Sequence, residues 1–307
     1  MKIAIIDLDT SHPAAWLPVI RQLGHEVTGI FDGGSVHPAS YVHAFADEHR
    51  IPRLFSSLHE AAESADCAVI HGCDWDTHID KARPFVDMGK SVLLDKPMAG
   101  NIEDLRQVEQ WIRQGRRITG GSSLRFAREI HDWLQTPMDQ RGSPHTALCG
   151  CAVDEFNYGI HAYTTLLSLL GSDVHSVRHL GRKGQRRIQV NYPDGRMGLL
   201  VIGQAANWMP FYQTVITDRA SHSFIIDASK VYAELLSAVL PYLSGQTDQP
   251  PIPLQALLQP ERCALAARRS WLENDRQVHL DELNDTDRYN GAEFARSYKA
   301  ARYPPAS

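Results

Sequence analysis

A lysine stands at the end of a short apolar run, in the segment Val92-Leu93-Leu94-Asp95-Lys96-Pro97. Such a run is typical of a buried parallel strand, and open α/β sheets bind ligands beyond the carboxyl ends of their strands. Partial desolvation lowers the pKa of a lysine, whereas an adjacent carboxylate raises it again. Lys96 is therefore a candidate chemical centre, although the isolated tripeptide is better explained as a surface ion pair.

A second candidate group is Asn157-Tyr158-Gly159-Ile160-His161. Asn157 and His161 are four residues apart, so on a helix they share one face. A histidine in that position can exchange a proton with a substrate hydroxyl near neutral pH. Taken alone, the pattern is better explained by a capping or core histidine.

The turn after the first predicted strand reads Asp7-Leu8-Asp9-Thr10-Ser11-His12 and contains no glycine. Dinucleotide-binding folds usually have three glycines here, which allow a tight turn and a close approach of the pyrophosphate. Carboxylates suit the dipole of a helix amino terminus, but they repel a pyrophosphate. Pro18 further predicts that the first helix begins late, after a longer loop.

Asp32 ends the second predicted strand, about 20 residues after that turn, where an acidic residue can bind the ribose hydroxyls of a dinucleotide. An ordinary turn aspartate explains the same position equally well. A carboxylate here repels the additional phosphate of NADP, so the predicted cofactor is NAD rather than NADP.

No metal site is predicted, because the spacing of Asp7, Asp9 and His12 matches no familiar metal cluster.

The elements around these residues predict an α/β fold with two domains. Residues 1–121 alternate strands and helices, which indicates a Rossmann-type parallel sheet. Residues 122–307 contain successive strands without intervening helices, which indicates an α/β domain with an open, mostly antiparallel sheet. The strands predicted for the first domain are Lys2–Ile6, Glu26–Phe31, Cys67–His71, Ser91–Leu94 and Arg117–Thr119.

The composition is that of an ordinary globular protein, with 307 residues, 43% hydrophobic residues and a net charge of −5. The charge gives no indication of a nucleic-acid partner, and no apolar stretch is long enough for a membrane span. Five cysteines at unrelated spacings favour a reducing compartment, so we expect a cytoplasmic protein. Cys149 and Cys151 are interpreted as buried packing residues on one face of a strand.

Taken in order, these motifs resemble those of the glucose–fructose oxidoreductase / inositol dehydrogenase / MocA (Gfo/Idh/MocA) family. The resemblance covers nearly the whole chain and is most specific at the Lys-Pro segment with its upstream Gly-Lys-x-Val run. Other matching segments are Asp76-Thr77-His78, Ser123-Leu124-Arg125-Phe126, the Asn157/His161 pair and the helix Glu261–Ser270.

The resemblance implies an NAD(P)-dependent oxidoreductase that transfers hydride at a secondary hydroxyl or ketone of a sugar or cyclitol. Lys96 would polarise the substrate oxygen and His161 would be the acid/base. The implied substrate-pocket residues are Arg125, Asn157 and Tyr158. The implied cofactor-binding residues are Leu8, Asp9, Thr10, Ser11, His12, Asp32, Gly72, Cys73, Asp74, His78, Asp95 and Lys96. A homo-oligomer formed through the C-terminal sheet is also implied.

The sequence departs from the family at two sites, the glycine-free turn and Asn157, where the family commonly has an aspartate. An amide can orient a hydroxyl but cannot remove its proton. Two alternatives to the dehydrogenase therefore stay open. One is an NAD-recycling lyase or epimerase, and the other is a non-catalytic sugar-binding sensor that has lost the cofactor.

Overall fold

The computed structural model describes residues 1–304 and divides the chain into two compact units. The first unit comprises residues 1–121, 236–252 and the chain from Asn290 onward, and the second comprises residues 122–235 and 253–289. The sequence predicted one division, after residue 121, and assigned everything that follows to the second domain. The two later segments join the first unit through tertiary contacts that no local pattern reveals.

The first unit contains a five-stranded parallel sheet in the order β2-β1-β3-β4-β5. Its inner strands are buried on both faces, which explains their uninterrupted apolar sequences. The strands are β1 (Lys2–Ile6), β2 (Glu26–Phe31), β3 (Cys67–Ile70), β4 (Ser91–Leu94) and β5 (Ile118–Gly120). This is the Rossmann-type sheet that the sequence predicts, with strand ends within one residue of the expected ones.

Five helices connect or flank these strands: α1 (His12–Gln22), α2 (Ala39–Glu48), α3 (Leu58–Ser64), α4 (His78–Asp87) and α5 (Ile102–Arg113). Helix α1 begins directly after the turn and contains Pro18, so the predicted late start of this helix is wrong. A proline inside a helix costs about 3 kcal/mol. Leu17 and Ile20 are fully buried, and each contributes about 1.5–3 kcal/mol, which offsets that cost.

The second unit is built on a seven-stranded mixed sheet in the order β11-β10-β6-β9-β8-β7-β12, in which only the β6–β9 pair is parallel. Its strands are β6 (Pro144–Gly150), β7 (Ser176–Lys183), β8 (Gln185–Asn191), β9 (Met197–Ile202), β10 (Tyr212–Thr217), β11 (Ser221–Ile225) and β12 (Val278–His279). The mostly antiparallel open sheet confirms the predicted fold class.

The other helices, in chain order, are α6 (Arg128–Gln135), α7 (Met138–Arg141), α8 (Gly159–Leu170), α9 (Val231–Leu243), α10 (Leu254–Leu272) and α11 (Gly291–Arg302). The boundary between the two units falls inside α9, and α11 belongs to the first unit. Helix α11 was not predicted from the sequence. Among the helices of residues 1–304, none combines the length and apolar character that a membrane crossing requires.

Candidate cofactor and active sites

Asp7 occupies the place of the first glycine in the turn after β1, with a left-handed φ of 66°. Aspartate adopts this conformation more readily than most residues other than glycine. Its buried carboxylate accepts a hydrogen bond from Gly33 N at 3.0 Å and pairs with Lys81 Nζ at 2.6 Å. The charge that was expected to repel a pyrophosphate is therefore paired inside the unit.

Asp9 stands at the place of the second glycine and is also fully buried. Its Oδ2 accepts a hydrogen bond from Cys73 N at 2.9 Å, whereas Oδ1 has no partner within the described chain. Burial, reinforced by the neighbouring Asp7, raises the pKa of Asp9 to about 6. A growing fraction of the Asp9 carboxyl is therefore protonated and uncharged as the pH falls toward 6.

His12, at the place of the third glycine, is the first residue of α1 and contacts the carboxylate of Asp95. The distance from His12 Nδ1 to Asp95 Oδ2 is 2.5 Å, and His71 Nδ1 lies 3.0 Å from the same oxygen. The potential metal-ligand atoms of these three residues all lie within 4.8 Å of one another. Within residues 1–304, no other set of three or more histidine, cysteine, aspartate or glutamate residues is grouped in this way. The sequence did not predict that they meet.

Asp32 is half-buried at the end of β2 and faces a cavity of about 270 Å³. Its two carboxylate oxygens accept hydrogen bonds from Leu8 N at 2.9 Å and Gly34 N at 2.8 Å. Each carboxylate oxygen has a further lone pair, so the group can still accept a ribose hydroxyl. The cavity is lined by Ile30, Asp32, Gly34, His37, Ala39, Val42, His43, Leu54 and Phe55.

The residues of the first unit fit a dinucleotide at two points. The cavity beside Asp32 offers apolar walls and a carboxylate, as an adenosine requires. Helix α1 has no acidic residue in its first turn, and Ser11 is exposed just before it. A helix amino terminus of this kind binds anions through its backbone N–H groups and dipole.

The segment after β3 has a packing role that the sequence did not show. A Cβ atom added to Gly72 would lie 2.8 Å from Asp7 Oδ2, so only glycine leaves room for the Asp7–Lys81 pair. The His78 ring is fully buried between Gly72 O at 2.7 Å and Met98 O at 3.1 Å. It presents no exposed atom to a ligand, and Leu8 is similarly buried.

Asp74 and Thr10 are half-buried, so both can still contact a ligand. Asp74 caps the short 3₁₀ helix that precedes α4 by accepting a hydrogen bond from Asp76 N at 3.2 Å. Burial, together with Asp76, raises the pKa of Asp74. Of the predicted cofactor residues, Thr10, Ser11, Asp32 and Asp74 are therefore the accessible ones.

Lys96 follows β4 and is only 8% exposed, so its interpretation as a surface ion pair is wrong. Its backbone N–H donates to Asp95 Oδ1 at 2.7 Å, and the Lys96–Pro97 peptide bond is cis. Asp95 itself is buried and holds the two histidines on its other oxygen. The position beyond a parallel strand is the ligand-binding position of open α/β sheets.

In the second unit, His161 lies in the first turn of α8 and is buried. Its Nδ1 lies 2.6 Å from Ser122 Oγ, and its ring contacts the rings of Phe211 and Tyr158. Asn157 lies in the turn before α8, which begins at Gly159. The prediction that Asn157 and His161 share one helix face is therefore wrong, because Asn157 is outside the helix.

Ser122 was not among the predicted site residues. Its Oγ accepts a hydrogen bond from Leu124 N at 3.1 Å and is paired with His161, so it fixes the imidazole orientation. The segment Gly120-Gly121-Ser122 signals only a turn, and 38 residues lie between Ser122 and His161. No local spacing rule could connect them.

Arg125, predicted to line the substrate pocket, donates from Nη2 to Ala256 O at 2.8 Å. Burial lowers the pKa of Arg125 to about 10, although Glu261 opposes that shift. Its Nε has no partner within the described chain. Arg125 therefore connects the start of the unit with α10 and still has one donor to offer.

Comparison with known sequences assigns the first domain. The sequence model of the GFO_IDH_MocA family, described as an oxidoreductase family with an NAD-binding Rossmann fold, matches residues 2–120. Residues 2–120 are therefore similar to the NAD-binding Rossmann domain of this family, in agreement with the predicted resemblance and with the predicted cofactor NAD. A trans-1,2-dihydrobenzene-1,2-diol dehydrogenase from Danio rerio is 31% identical over 94 residues, which are 30% of this chain and 26% of that protein.

Solved structures match over both units, at sequence identities that establish the fold alone. The scyllo-inositol dehydrogenase of Lactobacillus casei, with bound NAD(H) and scyllo-inositol, has a TM-score of 0.77 and 15% identity, with 92% of this chain and 99% of that chain covered. An oxidoreductase of Agrobacterium radiobacter in complex with NAD⁺, L-tartaric acid and magnesium has a TM-score of 0.76 and 12% identity, with the same coverage. Both support the predicted fold class.

Proposed function

We propose that this protein is an NAD-dependent dehydrogenase that transfers hydride at a secondary hydroxyl or ketone of a sugar or cyclitol. The observation that carries the proposal is the buried Lys96 at the carboxyl end of β4, inside the region that matches the oxidoreductase family. The scyllo-inositol dehydrogenase with the same fold supports the proposed substrate class. NAD supplies the hydride acceptor or donor when it is bound.

The roles of the chain's own residues follow from their chemistry. The Lys96 ammonium donates hydrogen bonds to the substrate oxygen and stabilises the charge that develops there. His161 exchanges the hydroxyl proton, with its imidazole held by Ser122. Arg125, Asn157 and Tyr158 orient the substrate, and Asp32 binds the ribose hydroxyls and disfavours NADP.

Calorimetric titration with NAD⁺ and NADP⁺ is the first test. We expect NAD⁺ to bind at least about 10-fold more tightly than NADP⁺, because Asp32 repels the additional phosphate. Binding of neither dinucleotide at millimolar concentration would refute the proposal and favour a sugar-binding sensor.

Turnover is then measured as NADH absorbance with myo-inositol, scyllo-inositol and glucose. Lys96→Ala and His161→Asn should each lower kcat about 10²–10⁴-fold, as removal of a proton-transfer or charge-stabilising group does. The His161→Asn variant should bind NAD⁺ within about 2-fold of the parent, and His131→Asn at an exposed helical position is the matched control. Product formation without any net NADH change would instead indicate an epimerase or a lyase.

The proposal includes a homo-oligomer formed through the sheet of the second unit. Leu148 and Ile216 lie on the face of β6 and β10 opposite to the buried Ala147, Cys149 and Val215, and both are more than one-third exposed. Exposed apolar patches on a sheet mark interaction surfaces. Leu148→Glu should convert an oligomer into monomers in sedimentation experiments, and an unchanged mass would refute this part.

The five cysteines are unpaired and buried, in keeping with the cytoplasmic location we propose.

A further inference from the structure

Three elements of the first unit meet at one carboxylate. His12 begins α1, His71 follows β3, and Asp95 follows β4. Both histidines direct Nδ1 at Asp95 Oδ2, at 2.5 and 3.0 Å, while Asp95 Oδ1 accepts the backbone N–H of Lys96 at 2.7 Å. His71 is only 1% exposed, so it can act on a ligand only through its neighbours.

The hydrogen bonds determine where the protons lie. An ionised carboxylate only accepts, so each Nδ1 must carry the proton. Burial favours the protonated acid, but His12 and His71 outweigh it and hold the pKa of Asp95 well below its usual range. Burial also lowers the pKa of His71, whose Nε2 has no partner within the described chain. His71 is thus a neutral imidazole in the Nδ1–H form.

A metal ion explains this geometry less well than shared protons do. Zinc bonds to imidazole nitrogen and carboxylate oxygen are about 2.0–2.2 Å long, which sets tetrahedral ligands roughly 3.3 Å apart. The separation of 2.5 Å between His12 Nδ1 and Asp95 Oδ2 is too short for two ligands of one ion but suits a charge-assisted hydrogen bond.

We propose that His12 and His71 are positioning residues for Lys96. They fix the Asp95 carboxylate in the one orientation that receives the Lys96 backbone N–H, and so set where Lys96 leaves β4. The catalytic role of Lys96 in this inference rests on the proposed function. The arrangement also explains why a histidine replaces the third glycine, because His12 connects the turn after β1 to the Lys96 segment through Asp95.

The hydrogen bonds themselves are testable on the unaltered full-length protein. Two-dimensional NMR of ¹⁵N-histidine-labelled protein distinguishes the two imidazole tautomers, and His71→Asn identifies the His71 signals by their loss. We expect the Nδ1–H tautomer for His71 at neutral pH, whereas free histidine favours Nε2–H. An Nε2–H form, or a shift of both histidine signals on adding one equivalent of zinc, would overturn the proposal.

The positioning role is tested with His71→Leu and His71→Asn. The amide nitrogen of asparagine occupies nearly the place of Nδ1 and can still donate to Asp95, whereas leucine cannot. His71→Leu should speed hydrogen exchange at the Lys96 amide about 10-fold, and His71→Asn should leave it close to the parent rate. Equal exchange rates in the parent and the leucine variant would overturn the proposal, whether or not the protein is a dehydrogenase.

Once a substrate of the protein is known, steady-state kinetics provides a second test of the positioning role. His71→Leu should lower kcat about 10- to 100-fold through misplacement of Lys96, while KM and the NAD⁺ Kd change less than about 2-fold. His71→Asn should restore most of kcat. Equal losses in both variants, or a loss confined to NAD⁺ binding, would overturn the positioning role while leaving the dehydrogenase intact.

Discussion

The turn after β1 and the start of α8 both bury polar side chains, but they hold them by different means. In the turn, Asp7 pairs with the Lys81 ammonium and His12 contacts the Asp95 carboxylate, so each of these side chains is held by an ionised partner. At α8, His161 is held by the neutral Ser122 hydroxyl and by aromatic rings. Bound charges make a region rigid, whereas a histidine held by a neutral hydroxyl remains able to exchange protons.

The difference also concerns conformational freedom. A glycine-rich turn leaves its backbone free of side chains, whereas this turn carries Asp7, Asp9 and His12 at those places. Each of these side chains is hydrogen-bonded to a distant part of the unit: Asp7 to Lys81 of α4 and to Gly33, Asp9 to Cys73, and His12 to Asp95. Hydrogen-bonded side chains thus stand where the glycines usually are. The left-handed φ of Asp7 gives the turn a backbone conformation that glycine usually adopts.

The largest expected effect comes from breaking the Asp7–Lys81 pair. Lys81→Met leaves a buried carboxylate without its cation and should destabilise the protein by about 3–5 kcal/mol in urea unfolding. The exposed Lys183→Met is the matched control and should change stability by less than about 0.5 kcal/mol. The double variant Asp7→Gly with Lys81→Met removes both charges and should recover most of the loss. If it does not, the turn depends on something other than charge balance.

A smaller, pH-dependent effect is expected at Asp9. Its folded-state pKa of about 6 lies above the usual 3.8, so the wild-type carboxyl favours folding at low pH and opposes it as the pH rises through 6. Asp9→Asn should therefore stabilise the protein by about 1–3 kcal/mol at pH 8, and the gain should vanish below about pH 4. Urea unfolding at several pH values measures this. A gain independent of pH would show that packing rather than ionisation is responsible.

The smallest effect is expected in the second region. Ser122→Ala removes one hydrogen bond to His161, worth about 0.5–1.5 kcal/mol, and should lower kcat by about 2- to 10-fold. Ser122→Thr retains the hydroxyl and should remain near the parent rate. The pH profile of kcat should shift in the alanine variant only. An unchanged profile would mean that the hydroxyl does not act on the imidazole.

Much of the first unit follows from local sequence patterns. The β1, β2 and β4 strands have their predicted ends, because buried parallel strands are short apolar runs that end in polar residues. The second unit is predicted in class rather than in detail. β6 ends at Gly150, so Cys151 lies beyond the strand that was predicted to contain both cysteines, and α10 begins at Leu254 instead of near Glu261. Half-exposed strands and mixed helix faces give weaker periodic signals.

The sequence by itself determined that Lys96 follows a buried strand, that Asp32 follows another, and that the turn after the first strand lacks glycine. Only the tertiary structure decided what the substituted side chains do. Lys81 reaches Asp7 across 74 residues, and Asp95 reaches His12 across 83. Partners at such separations leave no spacing pattern, because the parallel sheet, not the local chain, brings its strand ends to one edge. The sequence predicted that the carboxylates of this turn would repel a pyrophosphate. In the structure the charge of Asp7 is paired with Lys81, a partner that only the fold brings to it.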